Sequence, residues 1–212
     1  MAEDLVFYTN PMSRGRIVRW MLEEVGHPYR TEVLEFGTAM KSPDYLAFNP
    51  MGKVPTIIHN GTVVTEAAAI CAYLADAFPE TGLAPPPGDL RRGPYYRWMF
   101  FAAGPVEAAI SNKALGFEVP DERRGMVGYG GMNDVVNALE YAVTQSEYIA
   151  GDHFGAADVY VGSQIGWGMM FGTLEKRPAF EAYWQRISSR PAAVRAREID
   201  DALAAARKQP SS

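Results

Sequence analysis

The stretch Asn49-Pro50-Met51-Gly52-Lys53-Val54-Pro55-Thr56-Ile57-Ile58, with its continuation to Glu66-Ala67, limits the fold more than any other part of the chain. Asn49-Pro50-Met51-Gly52 is a turn, because proline fixes φ and glycine admits positive φ. Val54 is extended, since a following proline disfavours the α region. Thr56 to Ile58 reads as a strand. His59-Asn60-Gly61-Thr62 is a hairpin on an Asn-Gly turn, and Thr62 to Val64 is the return strand. A proline at the mouth of such a strand has two readings. One is a cis Val54–Pro55 bond, which turns the flanking N–H and C=O toward a ligand. The other is a proline on an edge strand.

The elements around this hairpin follow from periodicity. Leu5 to Thr9 is apolar at its centre and reads as a buried strand. Asn10-Pro11-Met12 is a turn, with Ser13 as an N-cap. Ile17, Val18, Met21, Leu22 and Val25 recur at helical spacing until Gly26 and Pro28 stop the helix. Tyr29 to Leu34 is a second strand, so a parallel βαβ unit with a right-handed crossover is expected. Pro43 to Phe48 forms a short helix. Glu66 to Phe78 forms a longer one, with Ala67, Ile70, Cys71 and Leu74 on one face. Pro79 to Asp89, containing Pro85-Pro86-Pro87-Gly88, is a stiff linker. Beyond it strand signals stop. Leu90 to about Ala114 is a helix kinked near Gly104-Pro105. Further helices cover Met132 to Gln145, Ala156 to Phe171, Pro178 to Ser188 and Pro191 to about Arg207. Gly125 to Gly131 holds four glycines and is a poor helix. The fold class is an α/β domain followed by an all-helical domain, divided as 1–80, a linker at 81–89, and 90–212.

Bulk properties exclude several function classes. The 212 residues are 48% hydrophobic and 21% charged, ordinary for a globular protein. A net charge of −5 argues against nucleic acid as a partner. The single cysteine, Cys71, rules out a disulfide framework and a zinc-ligand pattern. No run of about 18 apolar residues is present, so no membrane span is expected. Met1-Ala2-Glu3-Asp4 is acidic and leads straight into a strand, so no signal peptide is expected and the location is read as cytoplasmic.

The N-P-x-G-x-V-P segment Asn49–Pro55, followed by a hairpin and an acid opening a helix, resembles the glutathione site of the glutathione transferases. The αβ-then-helical order across a Pro-rich linker resembles them too. So does Tyr148-Ile149-Ala150-Gly151-Asp152-His153-Phe154-Gly155-Ala156-Ala157-Asp158, where the family carries a capping box. Gly155 replaces the usual Ser or Thr, at a nominal cost of a few tenths of a kcal/mol. The resemblance implies a thioredoxin-like first domain in which a cis Pro55 lets Val54 pair with the cysteinyl backbone of glutathione. It implies that Glu66 meets the γ-glutamyl ammonium. Ala67 departs from the family, which usually has serine there. One hydroxyl donor to the γ-glutamyl carboxylate is thus missing, while the Ala67 N–H at a helix N-terminus still favours an anion. Lys41 and Lys53 lie where a cation can meet the glycyl carboxylate.

Thiol activation falls to the turn Tyr8-Thr9-Asn10-Pro11-Met12-Ser13-Arg14-Gly15-Arg16. A thiol above it meets a helix N-terminus, a hydroxyl donor and the cations Arg14 and Arg16, all of which favour thiolate. Ser13 ranks first as donor to sulfur, Tyr8 second and Asn10 third. A serine here is also commonly a plain N-cap, and a strand tyrosine is commonly a core residue. By the family's alignment the serine column falls on Met12 and the tyrosine column on Tyr8. The resemblance places the apolar electrophile against Met12, Tyr96, Phe100, Glu107 and Trp167, although an aromatic stripe is more often core. Cys71 reads as a small core residue, and His27, His59 and His153 as loop residues without ligand spacing.

The expected function is conjugation of the glutathione thiolate to apolar electrophiles in a detoxifying homodimer, with glutathione as co-substrate and no metal. Dimerisation is implied by the family through Glu66–Phe78 and the helix from Leu90. The alternatives are a glutathione-dependent reductase or peroxidase on the same site, and a non-catalytic binding or assembly module. The lack of a cysteine at the Met12-Ser13 turn weighs against a mixed disulfide with the protein.

Overall fold

The computed structural model describes residues 4–208. The Met1-Ala2-Glu3 stretch used to argue against a leader lies outside them. Strand β1 (Leu5–Thr9) is buried except for Tyr8. It pairs parallel with β2 (Arg30–Val33) and antiparallel with β3 (Thr56–His59). The hairpin closes at Asn60 and Gly61, with φ of 49° and 82°, and β4 (Thr62–Thr65) returns along β3. The sheet order is β2-β1-β3-β4. His59 is corrected by this register. It is the last strand residue, not a loop residue, because a two-residue turn makes His59 and Thr62 the closing pair. Its buried ring stacks on Phe78, and its Nδ1 lies 3.0 Å from the Tyr73 hydroxyl.

Helix α1 (Gly15–Val25) begins one residue later than a Ser13 N-cap requires, with Arg14 at the cap position. The chain first makes a turn in which Ser13 N–H donates to the Asn10 carbonyl. Gly15 is needed here, since a Cβ would lie 2.0 Å from Thr9 Oγ1 and 3.0 Å from Ser13 Oγ. Helix α2 (Pro43–Phe48) is capped by the Ser42 hydroxyl. Helix α3 (Ala67–Ala77) buries Ala67, Ile70, Cys71, Leu74 and Ala75. The Val54–Pro55 bond is cis, the first of the two readings above.

Two compact units emerge. One holds the residues up to Thr81 and those from Ser189 onward; the other is Gly82–Ser188. The final helix, read as part of the 90–212 domain, therefore returns to the first unit. The stretch after Thr81 is also no free linker. Leu83 is buried and its carbonyl accepts the Ala156 N–H at 2.8 Å, and Arg92 Nε donates to the Pro85 carbonyl.

Within the helical unit, α4 (Arg92–Phe101) runs through a wide π-helical turn at Ala102–Val106 into α5 (Glu107–Ala114). Pro105 has no N–H for a regular ladder, which accounts for the break. A 3₁₀ segment, Asp121–Met126, takes in Gly125 and precedes Gly128, Gly130 and Gly131. Helix α6 (Met132–Gln145) buries Val135, Val136, Leu139 and Val143, the expected face. Helices α7 (Ala156–Phe171) and α8 (Pro178–Ser188) complete this unit.

Helix α9 (Pro191–Lys208) packs on α1 in the first unit. Arg19 and Asp200 pair at 3.3 Å, with their side chains only 2% and 1% exposed. Arg19 also donates to Tyr29 and Thr31 hydroxyls at 2.8 Å each. More exposed pairs join Arg16 to Asp201, Glu24 to Arg190 and Glu23 to Arg195. Among the described residues no helix is long and apolar enough to cross a membrane.

Candidate functional site

The strand register gathers three segments at one end of the sheet. Tyr8 lies opposite Thr56, and Thr56 opposite Thr65. The turn leaving β1, the Val54-Pro55 entry to β3 and the Glu66-Ala67 exit from β4 therefore lie side by side. On the other flank Leu34 N–H donates to the Thr9 carbonyl, closing the β1–β2 side.

The three candidate sulfur donors differ in what already occupies them. Ser13 Oγ donates to the Asn10 carbonyl at 2.7 Å and accepts the Gly15 N–H at 3.0 Å. It thus sits at the α1 N-terminus, half-buried, where the helix field favours negative charge. Asn10 is buried and spent as a staple: its amide donates to the Leu34 carbonyl, and its Oδ1 accepts the Met12 N–H. The Tyr8 hydroxyl has no hydrogen-bond partner among the described residues, and its ring rests against Tyr45 and Phe48. Arg16 Nε grips the Pro11 carbonyl at 2.5 Å and so braces the same turn. Met12, at 68% exposed, and Arg14 flank the turn on its solvent side.

Glu66 has a backbone that strains an L-residue, φ 65° and ψ 118°. Such outliers cost of order 1–3 kcal/mol and persist where neighbours impose them. Its carboxylate is exposed and unpaired among the described residues. The Ala67 N–H beside it opens α3. Lys53 is likewise exposed with no partner among the described residues, whereas Lys41 Nζ caps the Met51 carbonyl at 2.8 Å. The sheet end thus offers one uncompensated anion, one uncompensated cation, a helix N-terminus and a hydroxyl. That set can hold a small ligand bearing both an ammonium and a carboxylate.

Sequence reasoning passed over Tyr45 and took Asn49 as a turn residue alone. Both are buried, and both bond the Lys53 carbonyl that precedes Val54. An aromatic in a short helix reads as core, so no signal distinguished Tyr45.

In the helical unit the electrophile candidates are dispersed. Tyr96 and Phe100 are exposed on α4 with ring centroids 6.3 Å apart. Glu107 accepts from Gln164 at 3.2 Å, one helical turn before the half-buried Trp167 on α7. A cavity of about 450 Å³ in this unit lies elsewhere, between the end of α5, residues 116–121 and the start of α6. None of Tyr96, Phe100, Glu107 or Trp167 lines it. Cys71 is fully buried, and burial pushes its thiol well above the ordinary range, so it is no nucleophile. Among the described residues no group of three or more His, Cys, Asp or Glu is placed to hold a metal.

Residues 12–77 match the family model for the glutathione S-transferase N-terminal domain, and residues 121–191 that for the C-terminal domain. The chain is 29% identical to glutathione S-transferase GstA of Escherichia coli O157:H7, over 76% of this chain and 78% of that protein. It is 28% identical to glutathione S-transferase GST-4.5 of Xanthomonas campestris pv. campestris, over 85% and 91%. A glutathione transferase structure from Methylococcus capsulatus superposes with a TM-score of 0.78 at 27% identity, covering 93% of this chain and 98% of that one. A sphingomonad glutathione S-transferase complexed with glutathione superposes at 0.76 and 27% identity, covering 92% and 98%.

Proposed function

Since this chain belongs to the glutathione S-transferase family and is a glutathione transferase, we propose that glutathione lies across the sheet end with its sulfur over the Ser13 turn. The convergence of the turn, the Val54-Pro55 segment and Glu66-Ala67 at one sheet end carries this reading. Val54 offers its main chain to the cysteinyl residue, with Pro55 setting the direction of the chain. Glu66 receives the γ-glutamyl ammonium, and the Ala67 N–H its carboxylate. Lys53 meets the glycyl carboxylate, with Lys41 bracing the loop. Ser13 turns its proton from the Asn10 carbonyl to the sulfur, and Arg14 adds positive potential. The thiol proton leaves to solvent, and the thiolate forms a sulfur–carbon bond as the electrophile's leaving group departs.

The electrophile is proposed to be apolar: within the helical unit, Tyr96 and Phe100 expose neighbouring rings on α4. A detoxifying role in the cytoplasm and pairing with a second copy belong to the same proposal. A sedimentation mass of one chain would remove the pairing.

The test is an ultraviolet difference titration of bound glutathione with wild type, Ser13→Ala and Tyr8→Phe. A thiolate band should appear one or more units below the free thiol's pKa of about 8.5 in wild type. It should vanish in Ser13→Ala and persist in Tyr8→Phe. The reverse pattern moves the role to Tyr8.

A further inference from the structure

The Lys53 carbonyl is held from inside the first unit by two side chains. The Tyr45 hydroxyl donates to it at 2.6 Å and the Asn49 amide at 2.8 Å. Thr56 Oγ1 lies 2.8 Å from the Tyr45 oxygen and 3.4 Å from Asn49 Nδ2. Proton counting assigns every bond. The tyrosine has one hydrogen, and a carbonyl can only accept, so that hydrogen goes to Lys53. Thr56 must then donate to the phenolic oxygen and accept from Asn49. Asn49 Oδ1 accepts the Met51 N–H at 3.1 Å, which completes a closed set.

All three side chains are buried, Tyr45 at 3% exposed, Asn49 at 4% and Thr56 at 0%. Burial raises the Tyr45 pKa above its ordinary value, against the lowering effect of the Thr56 and Asn49 hydrogen bonds. The phenol therefore keeps its proton and stays a donor across the working pH range. Both lone pairs of the Lys53 carbonyl are filled, so the peptide plane between Lys53 and Val54 has one orientation. That plane carries the Val54 N–H.

We infer that Tyr45 is a positioning residue for glutathione, acting through the Lys53 carbonyl to hold the Val54 main chain in register with the bound peptide. The inference rests on the glutathione site proposed above. Among the described residues no hydrogen bond joins Tyr45 to the sulfur turn; its ring packs against Tyr8 at 5.7 Å between centroids. Removing the hydroxyl while keeping the ring should therefore weaken binding and leave sulfur chemistry alone.

The experiment compares wild type, Tyr45→Phe, Thr56→Val and the surface control Tyr141→Phe by calorimetric binding of glutathione and by steady-state turnover with a chlorinated arene. Tyr45→Phe should raise the glutathione Kd and KM by about five- to tenfold, the loss of one hydrogen bond to a part-buried carbonyl. The kcat at saturating glutathione and the pH at which the thiolate band appears should stay as in wild type. Thr56→Val leaves both donors on Lys53 but unpairs one Asn49 hydrogen, and should raise Kd by clearly less than Tyr45→Phe does. A Tyr45→Phe Kd within twofold of wild type overturns the inference. So does an equal loss in Thr56→Val, or a fall in kcat in place of a rise in KM, since each points to general loosening. Wild type that fails to bind glutathione overturns the underlying site reading as well. Wild type that binds, with Tyr45→Phe unaffected, overturns this inference alone.

Discussion

The Asp158 carboxylate, fully buried at the start of α7, accepts hydrogen bonds from the Ile149 N–H, the Gly155 N–H and the Tyr183 hydroxyl. Burial outweighs these donors and pushes its pKa up to about 6. The folded state therefore holds this proton more firmly than the unfolded chain, whose ordinary value is near 3.9. Its contribution to stability is fully present below about pH 4 and is lost as pH rises through 6. The swing is up to about 3 kcal/mol, two pKa units' worth. Asp158→Asn should flatten that part of the profile, read from urea midpoints between pH 4 and pH 7. An unchanged slope would show that Asp158 does not titrate in this range. The neighbouring Gly155 shows why a local rule misjudged the site. By propensity a serine cap there is nearly equivalent, yet a Cβ would stand 2.6 Å from the Leu83 carbonyl. That carbonyl comes from 72 positions earlier in the chain, so no local pattern reports it.

At the level of elements, α1 and α9 are joined by ion pairs of unequal worth. Removing one partner of a buried pair typically costs 3–5 kcal/mol, because the remaining charge stays buried. Asp200→Ala should approach that figure, since Arg19 is then left with the Tyr29 and Thr31 hydroxyls and the faces of the Phe7 and Tyr29 rings, none of them a counter-charge. Asp201→Ala, at a pair whose acid is 60% exposed, should cost less than about 1 kcal/mol. Thermal unfolding of the two variants side by side decides this; equal losses would contradict it. The sheet, its Asn-Gly hairpin and the faces of α3 and α6 were legible because they follow short-range chemistry. The destination of α9 was not. Its buried residues are Ala192, Ala193, Ala196 and Asp200, which mark an inward side without naming what lies beneath. The candidate site divides the same way. Ser13, Asn49, Val54, Pro55 and Glu66 stand out by motif, whereas Tyr45, and the bond that Asn49 makes, acquire a role only when Lys53 is folded back onto them.

For the whole molecule, the first unit is built from both ends of the chain, with Gly82–Ser188 inserted between them. Truncation after Ser188 should therefore damage the glutathione site despite leaving every proposed glutathione contact in place. Arg19 would lose Asp200, Arg16 would lose Asp201, and the α1 surface under α9 would be laid open. The loss is on the order of 5 kcal/mol or more, comparable with the stability of an entire domain. Glutathione binding by the truncated chain, measured by calorimetry, should fall below detection. Retention of wild-type affinity would show that α9 is dispensable.

This chain order also bears on how the protein is made. The segment carrying the sheet leaves the ribosome first, but the helix that seals α1 emerges roughly a hundred residues later, on the order of 5–20 s at ordinary translation rates. Until then the nascent sheet carries a bare α1 flank and an unmatched Arg19. Emergence of α9, not of the binding motif, is the step that closes the first unit, so chains terminated before Pro191 would be both inactive and open to proteolysis.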